Sequence, residues 1–308
     1  MRIAVLSNPD SWYRRDLERA ATARGHSVTG LPFSQLAAQV GCGGGEGQAS
    51  QATPLNAFDA VVVRTMPPGS LEQVIFRMNA LARLERSGVQ VLNSARSIEC
   101  AVDKYLTTAL LREAGLPVPP TRVCETAEQA LEALADLGGD VVVKPLFGSE
   151  GRGILRVNDP DLGLRVFRTL ERLNCVLYLQ RFIPHAGFDV RVLVLDGAVV
   201  AAMKRSNPDD FRTNVSRSGV GSRLDPSPEQ REWAVRAAAA VGTRLAGVDL
   251  LYGPGGEGYV IEVNGVPGWQ ALQRVTQVDV AALVIQSLEQ GPSPAAAVPP
   301  PGQRPDRS

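Results

Sequence analysis

The kind of sheet this chain can build changes along its length. Over the first hundred residues, strand and helix signals alternate. Residues 2–6 (RIAVL), 26–31 and 59–64 (DAVVVR) are short apolar runs, and 89–92 closes the set. Between them, Ser11 is placed to cap a helix ending at Gly25, and Ser70 with Gln73 has capping-box spacing ahead of a stripe at Val74, Met78 and Leu81. This alternation predicts a mostly parallel sheet covered by helices. From Leu177 onward the signals come as antiparallel pairs instead. The segment between holds a helix over 103–114, ended by Gly115 and Pro117, and a second capping box at Thr126 and Gln129. A strand over 140–144 (DVVVK) then runs into the glycine-bearing loop 145–153, a further strand follows, and a helix opens at Asn158-Asp-Pro-Asp.

Composition sets outer bounds. A chain of 308 residues, 44% of them apolar, suggests about two domains with a sizeable core. Lys plus Arg and Asp plus Glu each number 32, so the formal net charge is zero, which disfavours a whole-protein grip on nucleic acid. No apolar run has the length of a membrane span, and the N-terminus reaches Asn8-Pro9-Asp10 too soon for a secretory segment. The cysteines at 42, 100, 124 and 175 have no metal spacing and read as reduced thiols of a cytoplasmic protein. Only His26 and His185 are present, which argues against zinc. Residues 41–54 (GCGGGEGQASQATP) lack the Lys-Ser/Thr of a phosphate-binding loop and read as a flexible surface insertion. Residues 291–308 have no apolar period and read as a disordered tail after a last helix ending near Gln290.

Two hairpins place chemistry. In 188–205 (FDVRVLVLDGAVVAAMKR), Asp196-Gly197 signals a two-residue turn. Counting back from it pairs Asp189 with Lys204 and puts Asp189, Arg191 and Lys204 on one face, either as a polar ligand site or as a solvated cross-strand ion pair. In the second, 247–252 (GVDLLY) and 259–264 (YVIEVN) flank a glycine-rich loop. Pairing Tyr252 with Tyr259 sets Asp249 opposite Glu262, with Asn264 on the same face and Val248, Leu250, Tyr259, Ile261 and Val263 on the core face. Opposed carboxylates destabilise a sheet unless a cation offsets them, and hard oxygen donors suit magnesium. The alternative is a slipped register with both carboxylates solvated.

Six stretches carry a family resemblance: DKYLTTALLREAGLPVPPT (103–121), VVVKPLFGSEGRGI (141–154), LQRFI (179–183), FDVRVLVLDGAVVAAMKR (188–205), DDFRTNVSRSGVG (209–221) and AGVDLLYGPGGEGYVIEVNGVPG (246–268). In order and spacing the chain resembles the ATP-grasp superfamily and, within it, the RimK-like α-L-glutamate ligases. The resemblance implies an α/β and α+β fold: an N-terminal open parallel sheet (1–100), a central lid with its linker helix (101–184) and a C-terminal antiparallel sheet (185–290), with ATP between the last two. It implies that Lys104 and Lys144 bind phosphates, and that the loop of Gly148, Ser149, Gly151 and Gly153 closes over them. Gln180, Arg181, Phe182 and Ile183 would contact adenine by backbone groups and an apolar wall, and Asp189 would read the ribose. Arg212, Thr213 and Asn214 would reach the phosphate and substrate side, and Asp249, Glu262 and Asn264 would hold magnesium, with manganese as an alternative ion. In isolation Lys104 reads as the first turn of an exposed helix and Lys144 as a strand end.

The chain departs from common family patterns at Gln180-Arg181, where an acidic residue is frequent, and at Asn264-Gly265-Val266-Pro267-Gly268-Trp269. The latter segment is similar to the tetrahydromethanopterin-type glutamate ligases. The implied reaction joins L-glutamate to a carboxylate-bearing small molecule or protein tail through an acyl phosphate, releasing ADP. Arg205, Arg212 and Asn214 are the expected catalytic side chains, the two arginines as carboxylate grips. No membrane or nucleic-acid partner is expected, and a homo-oligomer is compatible with the sequence.

Overall fold

The computed structural model describes residues 1–40, 48–50, 53–148, 151–207, 210–212 and 220–291. The N-terminal part contains β1 (Arg2–Leu6), α1 (Trp12–Thr22), β2 (Ser27–Leu31), the short strands β3 (Leu36–Ala38), β4 (Gln48–Ser50) and β5 (Thr53–Pro54), then β6 (Ala60–Val63), α2 (Leu71–Arg86) and β7 (Gln90–Leu92). Strands β2-β1-β6-β7 form a parallel sheet. Its central strands β1 and β6 are apolar on both faces because helices and the rest of the chain cover both, whereas the edge strand β2 (SVTGL) is largely exposed. Ser11 caps α1, and Ser70 and Gln73 close a full capping box on α2. The expected surface insertion contains strands: β4 pairs antiparallel with β3 and β5, while 41–47 and 51–52 lie outside the described residues.

Helices α3 (Ala95–Val102) and α4 (Lys104–Glu113) lead into the central part: β8 (Thr121–Cys124), α5 (Ala127–Asp136), β9 (Val141–Lys144), β10 (Leu155–Val157), α6 (Pro160–Arg172) and β11 (Leu177–Arg181). Asp103 ends α3 and caps α4 with its own carboxylate. Strands β10-β9-β11-β8 form an antiparallel sheet whose inner face packs on α5 and α6. The last part is β12 (Phe188–Leu195), β13 (Ala198–Ser206), β14 (Val220–Leu224), α7 (Pro228–Val241), β15 (Leu245–Tyr252), β16 (Gly258–Asn264), α8 (Gln270–Thr276) and α9 (Val280–Gln290). Its sheet has the order β14-β13-β12-β15-β16. Helix α9 ends where expected, and the tail beyond residue 291 lies outside the described residues. Among the described residues, no helix is long and apolar enough to cross a membrane.

The five-stranded sheet has two different faces. Val190, Val192, Val194, Val248, Leu250, Val260 and Val263 pack on α7. Leu193, Leu195 and Met203 on the other face join Ile3, Val5, Leu17, Trp269 and Val284, so a single core continues from the parallel sheet into the antiparallel one. Asn93, just past β7, stitches this junction together. Its Nδ2 donates to the carbonyls of Leu245 (2.7 Å) and Gly265 (2.6 Å), and its Oδ1 accepts from the amides of Arg244 and Leu245. All four contacts are buried, so removing the amide strands four backbone groups away from water. Asn93→Ala is expected to lower stability by about 2–4 kcal/mol. Denaturant unfolding checks this, and an unchanged midpoint would contradict it.

Candidate active site

The polar face of the C-terminal sheet is built by two β-bulges. Asp196 and Gly197 both take positive φ and form the expected turn, pairing Leu195 with Ala198. A bulge beyond it, between Leu193 and Val194, then shifts the register by one. Asp189 therefore pairs with Arg205, not with Lys204. Lys204 falls opposite Val190, on the other face, with its ammonium 4.0 Å from the Phe188 ring centre.

The second hairpin is bulged too. Tyr252 pairs with Gly258, but a shift between Asp249 and Leu250 restores Asp249 opposite Glu262. Val260 consequently takes the core position expected for Tyr259 and Ile261. Arg191, Asp249 and Glu262 thus stand in one row across β12, β15 and β16.

A buried four-membered ion network occupies this face. Arg205 donates to both oxygens of Asp189 (2.6 Å each), and its Nη2 also lies 3.0 Å from Asp249. Arg191 donates to both oxygens of Asp249. Gly247 makes room for this pair, because a Cβ there would lie 3.1 Å from the Arg191 guanidinium and 2.9 Å from Pro267. Burial alone would raise the Asp249 pKa, but Arg191 and Arg205 overcome it and hold the carboxylate below its ordinary value. The cations that offset Asp249 are thus arginines of the same sheet. Repulsion from Glu262 does not by itself call for a metal.

Glu262 is different. It makes no hydrogen bond or ion pair with the described residues, and two lysines feel its charge. Lys104, the first residue of α4, donates from Nζ to the Gly148 carbonyl at 2.9 Å. Lys144, at the end of β9, donates to Gln180 Oε1 at 2.7 Å. Burial lowers both lysine pKa values, against the pull of Glu262, and takes Lys144 down to about 8. Asn264 uses Nδ2 on the Gly247 carbonyl (3.3 Å), leaving its amide oxygen uncommitted. No cluster of three His, Cys, Asp or Glu side chains occurs among the described residues. The face offers one carboxylate without a described partner, Glu262, and one amide oxygen, beside an Asp249 whose oxygens are already held by arginines.

The loop after Lys144 is described at Gly148, Gly151 and Gly153, all with positive φ. At Gly153 a Cβ would also meet Pro145 at 2.9 Å, so glycine is needed there for both conformation and space. Ser149, Thr213 and Asn214 lie outside the described residues.

Several expected roles change. Asp189 and Arg205 spend their side chains on each other, so neither is open to a ribose or a substrate carboxylate. The Arg212 guanidinium is bound by Asp210, with Nη2 at 2.5 Å. In the hinge, the amides of Arg181 and Phe182 already donate to Pro120 and Asp140, while the Ile183 amide has no partner among the described residues. The Arg181 side chain turns away to the Leu137 carbonyl, and Phe182 packs on Phe211 and Arg156. Gln180 contributes through its side chain, held by Thr121 and Tyr178. Arg191 was placed on this face by strand alternation, but its bond to Asp249 depends on pairing between β12 and β15, strands far apart in sequence. Arg64 carried no sequence signal. It is buried against the Tyr13 and Trp269 rings and donates Nη2 to the Pro267 carbonyl at 2.6 Å.

The two carboxylates should therefore respond differently to removal. Asp249→Ala leaves buried guanidinium groups without a counter-charge and is expected to cost about 3–5 kcal/mol. Glu262→Ala removes a side chain with no described partner and should stay within about 1 kcal/mol of the parent. Thermal melting of both variants checks this, and equal losses would contradict it.

Comparison with known proteins fits this architecture. Residues 1–98 match the RimK PreATP-grasp domain and residues 101–288 match the RimK-like ATP-grasp domain. The tetrahydromethanopterin:alpha-L-glutamate ligase of Methanosarcina acetivorans is 34% identical over 263 residues, 76% of this chain and 81% of that one. A probable alpha-L-glutamate ligase of Pseudomonas entomophila is 32% identical over 302 residues, covering 96% and 97%. Among solved structures, the ATP-grasp ligase PsnB complexed with minimal precursor, Mg and ADP superposes with a TM-score of 0.69 at 25% identity, covering 94% of this chain and 97% of that one. With both domain matches in chain order and relatives aligned over nearly the whole length, the chain belongs to the RimK-like ATP-grasp family of ligases.

Proposed function

We propose that this chain is an ADP-forming carboxylate–amine ligase that adds L-glutamate to a carboxylate of a small molecule or peptide tail. The observation that carries the reading is the convergence of Lys104, Lys144, Glu262 and the glycine loop at one place, where a phosphate chain and its counter-ion would be complementary. The choice of glutamate rests on the two glutamate-ligase relatives. The three units proposed are 1–100, 101–184 and 185–290, with ATP between the last two.

In this reading the Lys104 and Lys144 ammonium groups neutralise phosphate oxygens, and loop amides around Gly148–Gly153 cradle them. The Ile183 amide is the hinge donor left for adenine, and Arg212 with Thr213 and Asn214 stands on the phosphate side. The oxygens left open fit magnesium: Glu262 is without a described partner and the Asn264 amide oxygen has none among the described residues, while Asp249, its oxygens held by Arg191 and Arg205, stands beside them as a fixed negative charge. Bound there, the ion would supply charge neutralisation on the transferring phosphoryl group. The acceptor carboxylate attacks the γ-phosphate to give an acyl phosphate and ADP, and the glutamate amine then displaces phosphate to form the amide. No side-chain nucleophile is required, so positioning and exclusion of water carry the catalysis. Arg205 serves as a positioning residue that holds Asp249.

Two outcomes test this reading. Turnover with glutamate and a competent acceptor should release ADP and phosphate, and Glu262→Ala should abolish it. Nucleotide chromatography decides, since AMP, or ADP formation indifferent to every amino acid, would reject the reading. The second outcome concerns pH. Lys144 is charged below about 8 and loses its proton above, so phosphate binding should weaken as pH rises through that value. From about pH 7 to about pH 9, ATP affinity should fall by up to tenfold, whereas Lys144→Met should bind weakly with no such step. A step of the same size in both proteins would show that Lys144 is not the group responsible.

A further inference from the structure

A cavity of about 210 Å³ opens at the carboxyl edge of the parallel sheet, away from the lysines and Glu262. Three strand ends form it: Ser7 and Asn8 after β1, Phe33 and Ser34 after β2, and Thr65 after β6. The chain leaves β1 to form β2 on one side and returns as β6 on the other. The cavity therefore sits at the switch point of an open α/β sheet, where ligands of such sheets bind.

Its charge has one sign. Arg77 of α2 lines it, and no Asp or Glu does. The Arg77 side chain is buried, with Nη1 donating to the Pro67 carbonyl at 2.8 Å and the guanidinium 5.7 Å from the Phe33 ring centre. Its Nε and Nη2 have no hydrogen-bond partner among the described residues. Unlike those of Arg64, these two nitrogens are not sealed from solvent, so the fork is open to a ligand entering the cavity. Arg205 and Arg212, the arginines expected to grip carboxylates, are by contrast already bound by aspartates.

The same edge meets the reaction face. Arg64, one residue before Thr65, donates to the Pro267 carbonyl in the loop that follows Asn264. Its Nε and Nη1 are buried without partners, and burial pushes its pKa down to about 10. A substrate lodged at the strand ends would reach toward the metal-side loop.

We infer that this cavity binds a carboxylate of the ligase's substrates, with Arg77 as the anchoring fork and the hydroxyls of Ser34 and Thr65 beside it. The inference rests on the ligase reading and names the substrate-side site that reading leaves open. A cavity of this volume is below the range of about 300–1,000 Å³ typical of drug-sized ligands and suits an amino-acid-sized group. Two substrates of the proposed reaction carry such a carboxylate, the free amino acid and the acceptor.

The test is calorimetric binding of L-glutamate and of a tetraglutamate peptide to the full chain, with magnesium and a non-hydrolysable ATP analogue present. Arg77→Ala should raise Kd by about ten- to a hundredfold for at least one probe, with analogue binding unchanged, and Arg77→Lys should fall between. Loss for glutamate alone assigns the cavity to the amino acid, and loss for the peptide alone assigns it to the acceptor. Because Arg77 is buried, Ser34→Trp provides a second variant, since Ser34 is exposed at the cavity and makes no described hydrogen bond. It should weaken the same probe by obstruction. Unchanged Kd values in both variants, or no binding of either probe to the parent protein, would overturn the inference. Amino-acid-independent ADP formation would instead remove the ligase reading itself.

Discussion

The arrangement of the proposed site depends on the bonds that Arg191 and Arg205 make to Asp249. Asp249 is buried on β15, between β12 and the edge strand β16, where a carboxylate without partners would be protonated or would destabilise the strand. Two guanidinium groups keep it ionised, and Asp189 balances the second of them. The network is closed within the sheet. Among the described residues of this face, Glu262, at the end of the row, and the Asn264 oxygen remain for something from outside. A fixed inner carboxylate beside a free outer one gives a cation a defined place without requiring the ion to hold the fold together.

The same logic separates the arginines of the molecule. Arg205 has its fork filled by Asp189 within the sheet, and Arg212 has its fork filled by the neighbouring Asp210. Those without carboxylate partners, Arg64 and Arg77, lie at the carboxyl edge of the parallel sheet. The proposed phosphate site and the proposed carboxylate pocket therefore lie on different parts of the fold, and Arg64 joins the strand end of β6 to the Pro267 loop. Asn93 fixes the same junction from the other side, by bonding both Leu245 and Gly265.

Much of this was legible in the sequence because local signals carried it. Ser11 and Ser70 cap the helices they precede, Thr126 caps α5 with the first half of its expected box, and Asp196-Gly197 makes the turn it signals. What was not legible depends on contacts between distant segments. A bulge in AVVAA has no glycine or proline to announce it, yet it exchanges Lys204 for Arg205 opposite Asp189. The second hairpin reached the right carboxylate pair from a starting pair one residue out, since its bulge cancelled the error. Helices α3, α7 and α8 were not anticipated, and neither was the pairing of part of 41–54 with β3. Arg64 and Arg77 had no signal at all, because an arginine becomes informative only once its surroundings fail to supply a carboxylate.

The central claim is that Glu262, left open by a self-sufficient arginine–aspartate network, receives the metal that accompanies the nucleotide. Calorimetry with a non-hydrolysable ATP analogue, with and without magnesium, tests it most directly on the parent chain and on Glu262→Gln. Magnesium should tighten analogue binding by the parent chain and leave binding by the variant almost unchanged. The same magnesium dependence in both proteins would contradict the account.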